Sequence, residues 1–212
     1  VGSAISRGRN SSVSYRNETQ NISLSSDGSI LVVGDPKSDD LDSGQGNVKV
    51  YRNVDNNWVQ IGSDLENEGL SDGFAVSTSA DGSVVAFSSP LKNWVFYSLK
   101  GKVSVYRNID DVWVQIGSDI VGDTANEFGS SVDLSSDGSI IAIGATSDDN
   151  NGSISIYQNV DNEWIQIDSK IQGDLTSRLG VAVSISSDGT ILAGGTTDNL
   201  TTEAQVRVYQ ND

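Results

Sequence analysis

The sequence predicts an all-β protein: a β-propeller of four four-stranded antiparallel blades. The last blade is completed by an N-terminal strand, either its own or one from a neighbouring subunit. Three observations carry this. A Ser-x-Asp-Gly turn recurs four times at near-equal spacing. Apolar residues alternate with polar ones on both sides of each turn. No helical periodicity of useful length occurs anywhere in the 212 residues.

The turns are Ser25-Ser26-Asp27-Gly28, Ser79-Ala80-Asp81-Gly82, Ser135-Ser136-Asp137-Gly138 and Ser186-Ser187-Asp188-Gly189, at offsets of 54, 56 and 51 residues. Each Asp-Gly lies between alternating segments, the signal of a two-residue hairpin. An apolar strand follows each turn: Ile30 to Val33, Val84 to Phe87, Ile140 to Ile143 and Ile191 to Ala193. A third strand carries Val48/Val50, Val103/Val105, Ile154/Ile156 and Val206/Val208 and ends in Tyr-x-Asn. Its period of two predicts one buried and one wet face. A fourth strand is built on Trp58-Val59-Gln60-Ile61, Trp113-Val114-Gln115-Ile116 and Trp164-Ile165-Gln166-Ile167. Four strands in about 50 residues, repeated, describe a propeller blade. An open arc of a larger propeller is the second choice and a stacked β-solenoid the third.

The blades are placed at approximately 21–65, 74–120, 129–171 and 180–212, after an N-terminal arm over 1–20. The fourth repeat has no Trp strand after Val206-Arg207-Val208-Tyr209. Trp113 and Trp164 each precede the next turn serine by 22 residues, and the same count back from Ser25 reaches residue 3. Ala4, Ile5, Ser6 and Arg7 therefore occupy the slot of a fourth strand beside Val206 and Val208. An unpaired edge exposes a row of N–H and C=O groups, so two outcomes are expected. The arm closes its own ring, or it enters the last blade of a neighbour and builds a head-to-tail polymer.

The unit from Phe128-Gly129 through Ser135-Ser136-Asp137-Gly138 to Gly144-Ala145-Thr146 resembles the FG-GAP repeat of integrin-α-like propellers. It is also similar to tandem repeats of extracellular proteins from aquatic bacteria and algae, which combine a Trp-x-Gln-Ile-Gly strand with a Ser-Ser-Asp-Gly hairpin. The resemblance covers about residues 21–212 and implies blade type and an extracellular setting. The match is uneven: Phe-Gly is replaced by Gly73-Phe74 and Leu179-Gly180, and the Gly-Ala-Pro element reads Gly34-Asp35-Pro36, Ser88-Ser89-Pro90 and Gly195-Thr196-Thr197 in the other blades. FG-GAP blades often hold a calcium loop where this chain has only the tight Ser-x-Asp-Gly turn. A two-residue turn cannot wrap a cation that takes 6–8 oxygens, so that site is not carried over.

Composition narrows function further. The net charge is −16 and the pI about 4.1, which disfavours nucleic acid and anionic membranes. His, Cys and Met are absent. That removes Ser-His and Cys-His nucleophiles, thiol or imidazole metal sites and disulfides. No apolar stretch is long enough to span a bilayer, so no membrane insertion is expected. The chain begins at Val1, read as a processed or trimmed N-terminus.

Sequons occur at Asn10, Asn17, Asn21, Asn151 and Asn199, three of them clustered within residues 10–23. They are candidate glycan acceptors if the source glycosylates. The acidic runs Asp35 to Asp42 and Asp148-Asp149-Asn150-Asn151 are weak candidates for Ca²⁺ and otherwise solvated turns; no cofactor is expected. Trp94, Phe96 and Tyr97 cluster in an insertion unique to the second blade, a candidate ligand contact. The recurrent Trp58, Trp113 and Trp164 read as blade packing. The acidic residues recur from blade to blade, as turn formers do, and no unique carboxylate pair stands out. The expected function is a non-enzymatic, secreted structural or adhesive propeller that self-associates head to tail and carries glycans. The alternative is a monomeric propeller that binds carbohydrate or protein.

Overall fold

The structure, a computed structural model, describes residues 21–36, 46–66, 73–90, 100–123, 127–197 and 203–210. It is a four-bladed β-propeller chain. Blade 1 holds β1 (Ile22–Leu24), β2 (Ile30–Asp35), β3 (Asn47–Val54) and β4 (Asn57–Gln60). Blade 2 holds β5 (Val76–Thr78), β6 (Val84–Ser89), β7 (Lys102–Ile109), β8 (Val112–Gln115) and the short β9 (Ile120–Val121). Blade 3 holds β10 (Phe128–Leu134), β11 (Ile140–Ala145), β12 (Ser153–Val160) and β13 (Glu163–Gln172). Blade 4 holds β14 (Ala182–Ile185), β15 (Ile191–Gly195) and β16 (Val206–Gln210). All pairs are antiparallel and follow chain order; β9 rejoins β7 after a break in the outer strand. No α-helix occurs among the described residues; a single 3₁₀ turn spans Asp148–Asn150.

The Ser-x-Asp-Gly turn is wider than the two residues expected. Leu24 pairs with Leu31, leaving a longer loop closed by the Ser25 N–H to the Ile30 carbonyl at 3.0 Å. Side chains build it. The Ser25 hydroxyl donates to Asp27 Oδ1 at 2.7 Å and accepts from the Ile30 N–H at 2.9 Å, while the Ser29 N–H donates to the same Asp27 oxygen at 2.9 Å. Ser79/Asp81, Ser135/Asp137 and Ser186/Asp188 repeat this network. A side-chain acceptor competing for local N–H groups favours such a loop. The two-residue hairpins are elsewhere, at Asp55-Asn56, Asp110-Asp111 and Asp161-Asn162. Both residues of each pair have positive φ, as a type I′ turn requires.

The core lies between blades, in three layers. Ile30, Val32, Val48, Val50, Ile61 and Leu65 of blade 1 pack on Val76, Val85 and Phe87 of blade 2. Blades 2 and 3, and blades 3 and 4, meet through equivalent sets. The expected alternation of buried and wet faces therefore holds only at the ends. β6 is buried along its whole length and β11 nearly so, because both faces of an inner blade are covered. β2 and β15 alternate.

Candidate functional site

Register places five kinds of contact at the joints, four of them at all three and the tryptophan contact at the first two. First, the turn glycine of one blade sits on the first apolar residue of the preceding blade: Gly82 on Ile30, Gly138 on Val84 and Gly189 on Ile140. Second, the Phe-Gly and Gly-Ala-Pro elements of neighbouring blades meet. A Cβ on Gly34 would stand 2.1 Å from the Gly73 carbonyl oxygen, and one on Gly144 would stand 2.1 Å from that of Gly180. At the middle joint Gly129 lies against Ser88. Third, the recurrent tryptophans hydrogen-bond backward. Trp113 Nε1 donates to the Ile61 carbonyl at 3.0 Å, and Trp164 Nε1 to the Ile116 carbonyl at 2.9 Å.

Fourth, one side chain on each innermost strand accepts an N–H from the next. Ser23 Oγ accepts from Thr78 at 3.2 Å, Ser77 Oγ from Leu134 at 3.1 Å, and Asp133 Oδ2 from Ile185 at 2.9 Å. Fifth, the turns themselves are linked: the N–H groups of Ser26, Ala80 and Ser136 donate to the carbonyls of Ala80, Ser136 and Ser187 at 2.8, 2.9 and 2.9 Å. Backbone polar groups at each joint are thus satisfied while apolar faces are buried.

Among the described residues, blades 1 and 4 each carry these features unmatched on one face. Val206 and Val208 hold the register of Val48 and Val50, paired through Gly195 and Ala193 as those are through Gly34 and Val32. They are 74% and 69% exposed, against 0% and 1% for Val48 and Val50. Ile22 and Leu24, in the register of Val132 and Leu134, are 67% and 56% exposed. Gly28 has nothing within 4 Å of where its Cβ would be, unlike the other three turn glycines. Among the described residues Trp58 Nε1 has no acceptor. Some other exposed apolar residues, Val59, Val114 and Ile165, recur on the outer strand of three blades and so do not distinguish the ends.

Of the residues singled out by sequence, Val206 and Val208 lie on the open face and edge strand of blade 4. Ala4, Ile5, Ser6, Arg7, Asn10, Asn17, Trp94, Phe96, Tyr97 and Asn199 lie outside the described residues. Asn21 is half-buried at the start of β1, and its sequon serine, Ser23, is engaged across the first joint. Asn151 is half-buried, with Oδ1 accepting from the Thr176 N–H at 3.2 Å. Most of the acidic run beginning at Asp35 is likewise outside. In the other run the buried Asp148 carboxylate meets the Lys170 ammonium at 2.7 Å, so the charge a cation would supply is present as a side chain. That hydrogen bond raises the Lys170 pKa, against burial. No group of three or more acidic residues able to hold a metal occurs among the described residues.

The turn aspartates are all lowered from the usual carboxylate value, Asp27 and Asp188 furthest. The Ser29 N–H and the Ser25 and Ser29 hydroxyls bring Asp27 down to about 2. The Ser186 hydroxyl, with the N–H and hydroxyl of Thr190, does the same for Asp188. Their partners are the loop's own groups, as in a structural turn.

No protein-family profile matches the chain, and no curated protein matches it either. Solved structures do. The periplasmic gluconolactonase PpgL of Pseudomonas aeruginosa is similar with a TM-score of 0.55 and 15% identity, over 93% of this chain and 58% of that one. A chain assigned as TolB from Agrobacterium tumefaciens is similar with a TM-score of 0.50 and 12% identity, over 90% of this chain and 60% of that one. At this identity the likeness shows the propeller fold alone. This chain spans about three fifths of the length of each. Among the described residues no helix is long and apolar enough to cross a membrane.

Proposed function

We propose that this chain is a non-enzymatic, extracellular structural or adhesive propeller that associates head to tail. Its N-terminal residues Ala4 to Arg7 add a strand to the fourth blade of a neighbour, and its sequons carry N-glycans. The observation that carries this reading is blade 4 itself. It has three strands among the described residues, and its last, β16, presents an edge beside exposed Val206 and Val208. Strand addition satisfies an open edge through main-chain hydrogen bonds. The recurrence of the acidic residues as turn formers, with no His or Cys in the chain, supports a role without chemistry.

The test is sedimentation velocity and negative-stain microscopy of the intact chain beside Ile5→Pro. Proline removes an N–H donor from the arm without touching the blades. The intact chain is expected to sediment above its 22.4 kDa monomer mass, and Ile5→Pro to fall to it. A synthetic peptide of residues 1–10 is expected to bind Ile5→Pro. A monomeric intact chain, or unaltered association in Ile5→Pro, overturns the strand-donation reading.

A further inference from the structure

On the outer half of blade 2 we propose a self-complementary face through which two copies of this chain associate about a two-fold axis. Arg107 of each copy meets Asp110 of the other around Ile109, Val112 and Val114. The inference goes beyond strand donation and does not rest on it, since it uses a different blade. Register builds the face. Ile109 pairs with Val112 and Arg107 with Val114, and cross-strand partners share one face of a sheet. Further in along β7 that face is sealed, and Val103 and Val105 are buried. Further out it opens: Ile109, Val112 and Val114 are 53%, 61% and 46% exposed.

Blades 1 and 3 do not carry this face. The slot of Val112 is Asn57 in blade 1 and Glu163 in blade 3, so a polar residue pairs with Val54 and with Val160 where Val112 pairs with Ile109. The charges differ too. The slot of Arg107 is Arg52 in blade 1, and that guanidinium meets both carboxylate oxygens of Asp111 at 2.8 and 3.3 Å. The residue of blade 3 in the slot of Asp111 is Asn162, an amide without charge. Arg107 and Asp110 are both exposed, and among the described residues neither has a hydrogen-bond or ion-pair partner.

These groups specify the occupant. Blade 1 shows what an arginine in this slot takes, a carboxylate held through two oxygens. The patch offers such a group itself in Asp110, at the tip of the same hairpin. A two-fold rotation sets one residue against another and the second against the first, so a patch with both signs around an apolar centre satisfies itself twice. The net charge of −16 on each copy opposes contact at long range. At physiological ionic strength that repulsion is screened beyond about 8 Å, and the opposite charges meet inside this distance. The face is smaller than a permanent interface, so the pair forms at raised concentration and separates on dilution.

The experiment is sedimentation equilibrium of the full chain carrying Ile5→Pro, from dilute solution to about 1 mM. Ile5→Pro removes the donated strand, so the association that remains is that of blade 2. The mass is expected to rise with concentration from 22.4 kDa toward twice that value. On the same background Arg107→Asp and Asp110→Arg each hold it at 22.4 kDa, because like charges then meet twice. An equimolar mixture of the two dimerises, because both ion pairs return with their signs exchanged. Val112→Asn places the residue of blade 1 in that slot and also stays monomeric. It keeps the test decisive if an arginine at position 110, where φ is 52°, disturbs the turn. Circular dichroism checks that each variant is folded. A mass of 22.4 kDa at about 1 mM overturns the inference. So does association indifferent to Arg107→Asp and Val112→Asn, or a mixture of folded charge variants that stays monomeric. Association that survives Ile5→Pro in dilute solution belongs to blade 2 if Arg107→Asp abolishes it, and defeats both readings if it does not.

Discussion

Gly144→Ala tests whether the backbone approach at a joint is as close and as rigid as the structure shows. The new Cβ would lie 2.1 Å from the Gly180 carbonyl oxygen and 2.6 Å from Ser131 Oγ, whereas real Cβ contacts essentially never fall below 3.0 Å. Blade 4 must therefore retreat by about 1 Å, and both its backbone and the layer around Ile154 and Leu192 resist. Overpacking of this kind costs about 1–3 kcal/mol. Loss of the Ser131 hydroxyl bond to the Gly180 carbonyl, now 2.8 Å, adds about 1 kcal/mol. Reduced freedom of the unfolded chain returns about 0.5 kcal/mol. The net is about 1.5–3.5 kcal/mol, or about 0.8–1.8 M in urea midpoint at a slope near 2 kcal/mol/M. Gly194→Ala is the control. Its Cβ would meet Ile154 Cδ1 at 2.3 Å, but that atom is the tip of a flexible side chain. The expected cost is below about 1 kcal/mol. Urea unfolding followed by tryptophan fluorescence measures both. An unchanged midpoint in Gly144→Ala, or an equal fall in Gly194→Ala, refutes the reasoning.

Three further outcomes are expected. Trp164→Phe leaves the Ile116 carbonyl without its indole donor and lowers stability by about 1–2 kcal/mol, read as a fall of about 2–8 °C in Tm; an unchanged Tm contradicts the role given to the recurrent tryptophans. Asp133→Ala strands the Ile185 N–H and costs about 1–3 kcal/mol, while Asp133→Asn keeps an acceptor and recovers most of it; equal losses from both would point to charge rather than the hydrogen bond. Asp27 and Asp188 titrate near 2 in the folded chain against 3.8 for the free group, so the unfolded chain binds more protons between these values. Their contribution is fully present above pH 4 and is lost as pH falls toward 2. Urea midpoints across pH 5 to 2 should fall in the parent and flatten when both are changed to Asn; parallel profiles would deny the turn network its electrostatic role.

Much of the fold was legible because the repeat writes it four times. Ser25-Ser26-Asp27-Gly28 and its copies fix the turns through their own side chains, and alternation at Val48/Val50 or Val206/Val208 fixes strand identity. These are local interactions, and local sequence determines them. Asp55-Asn56 and its counterparts were also legible as two-residue turns, since acidic and amide residues tolerate positive φ, but the Asp-Gly signal masked them. The place where a Phe-Gly glycine meets a Gly-Ala-Pro glycine was not legible, because the partners lie in different repeats and nothing in either states the approach distance.

The sequence by itself determined the blade, the place of its Ser-x-Asp-Gly turns, its strand order and the likeness of its copies. Tertiary structure alone decided which copy of a residue is buried. Val50 and Val208 are the same residue in the same register, each between a basic residue and a tyrosine, yet one is sealed beneath blade 2 and the other is 69% exposed. Burial is a property of what lies across the joint, and a repeat carries no record of its own position in the ring. What each blade packs on is therefore not written in the pattern of any one blade.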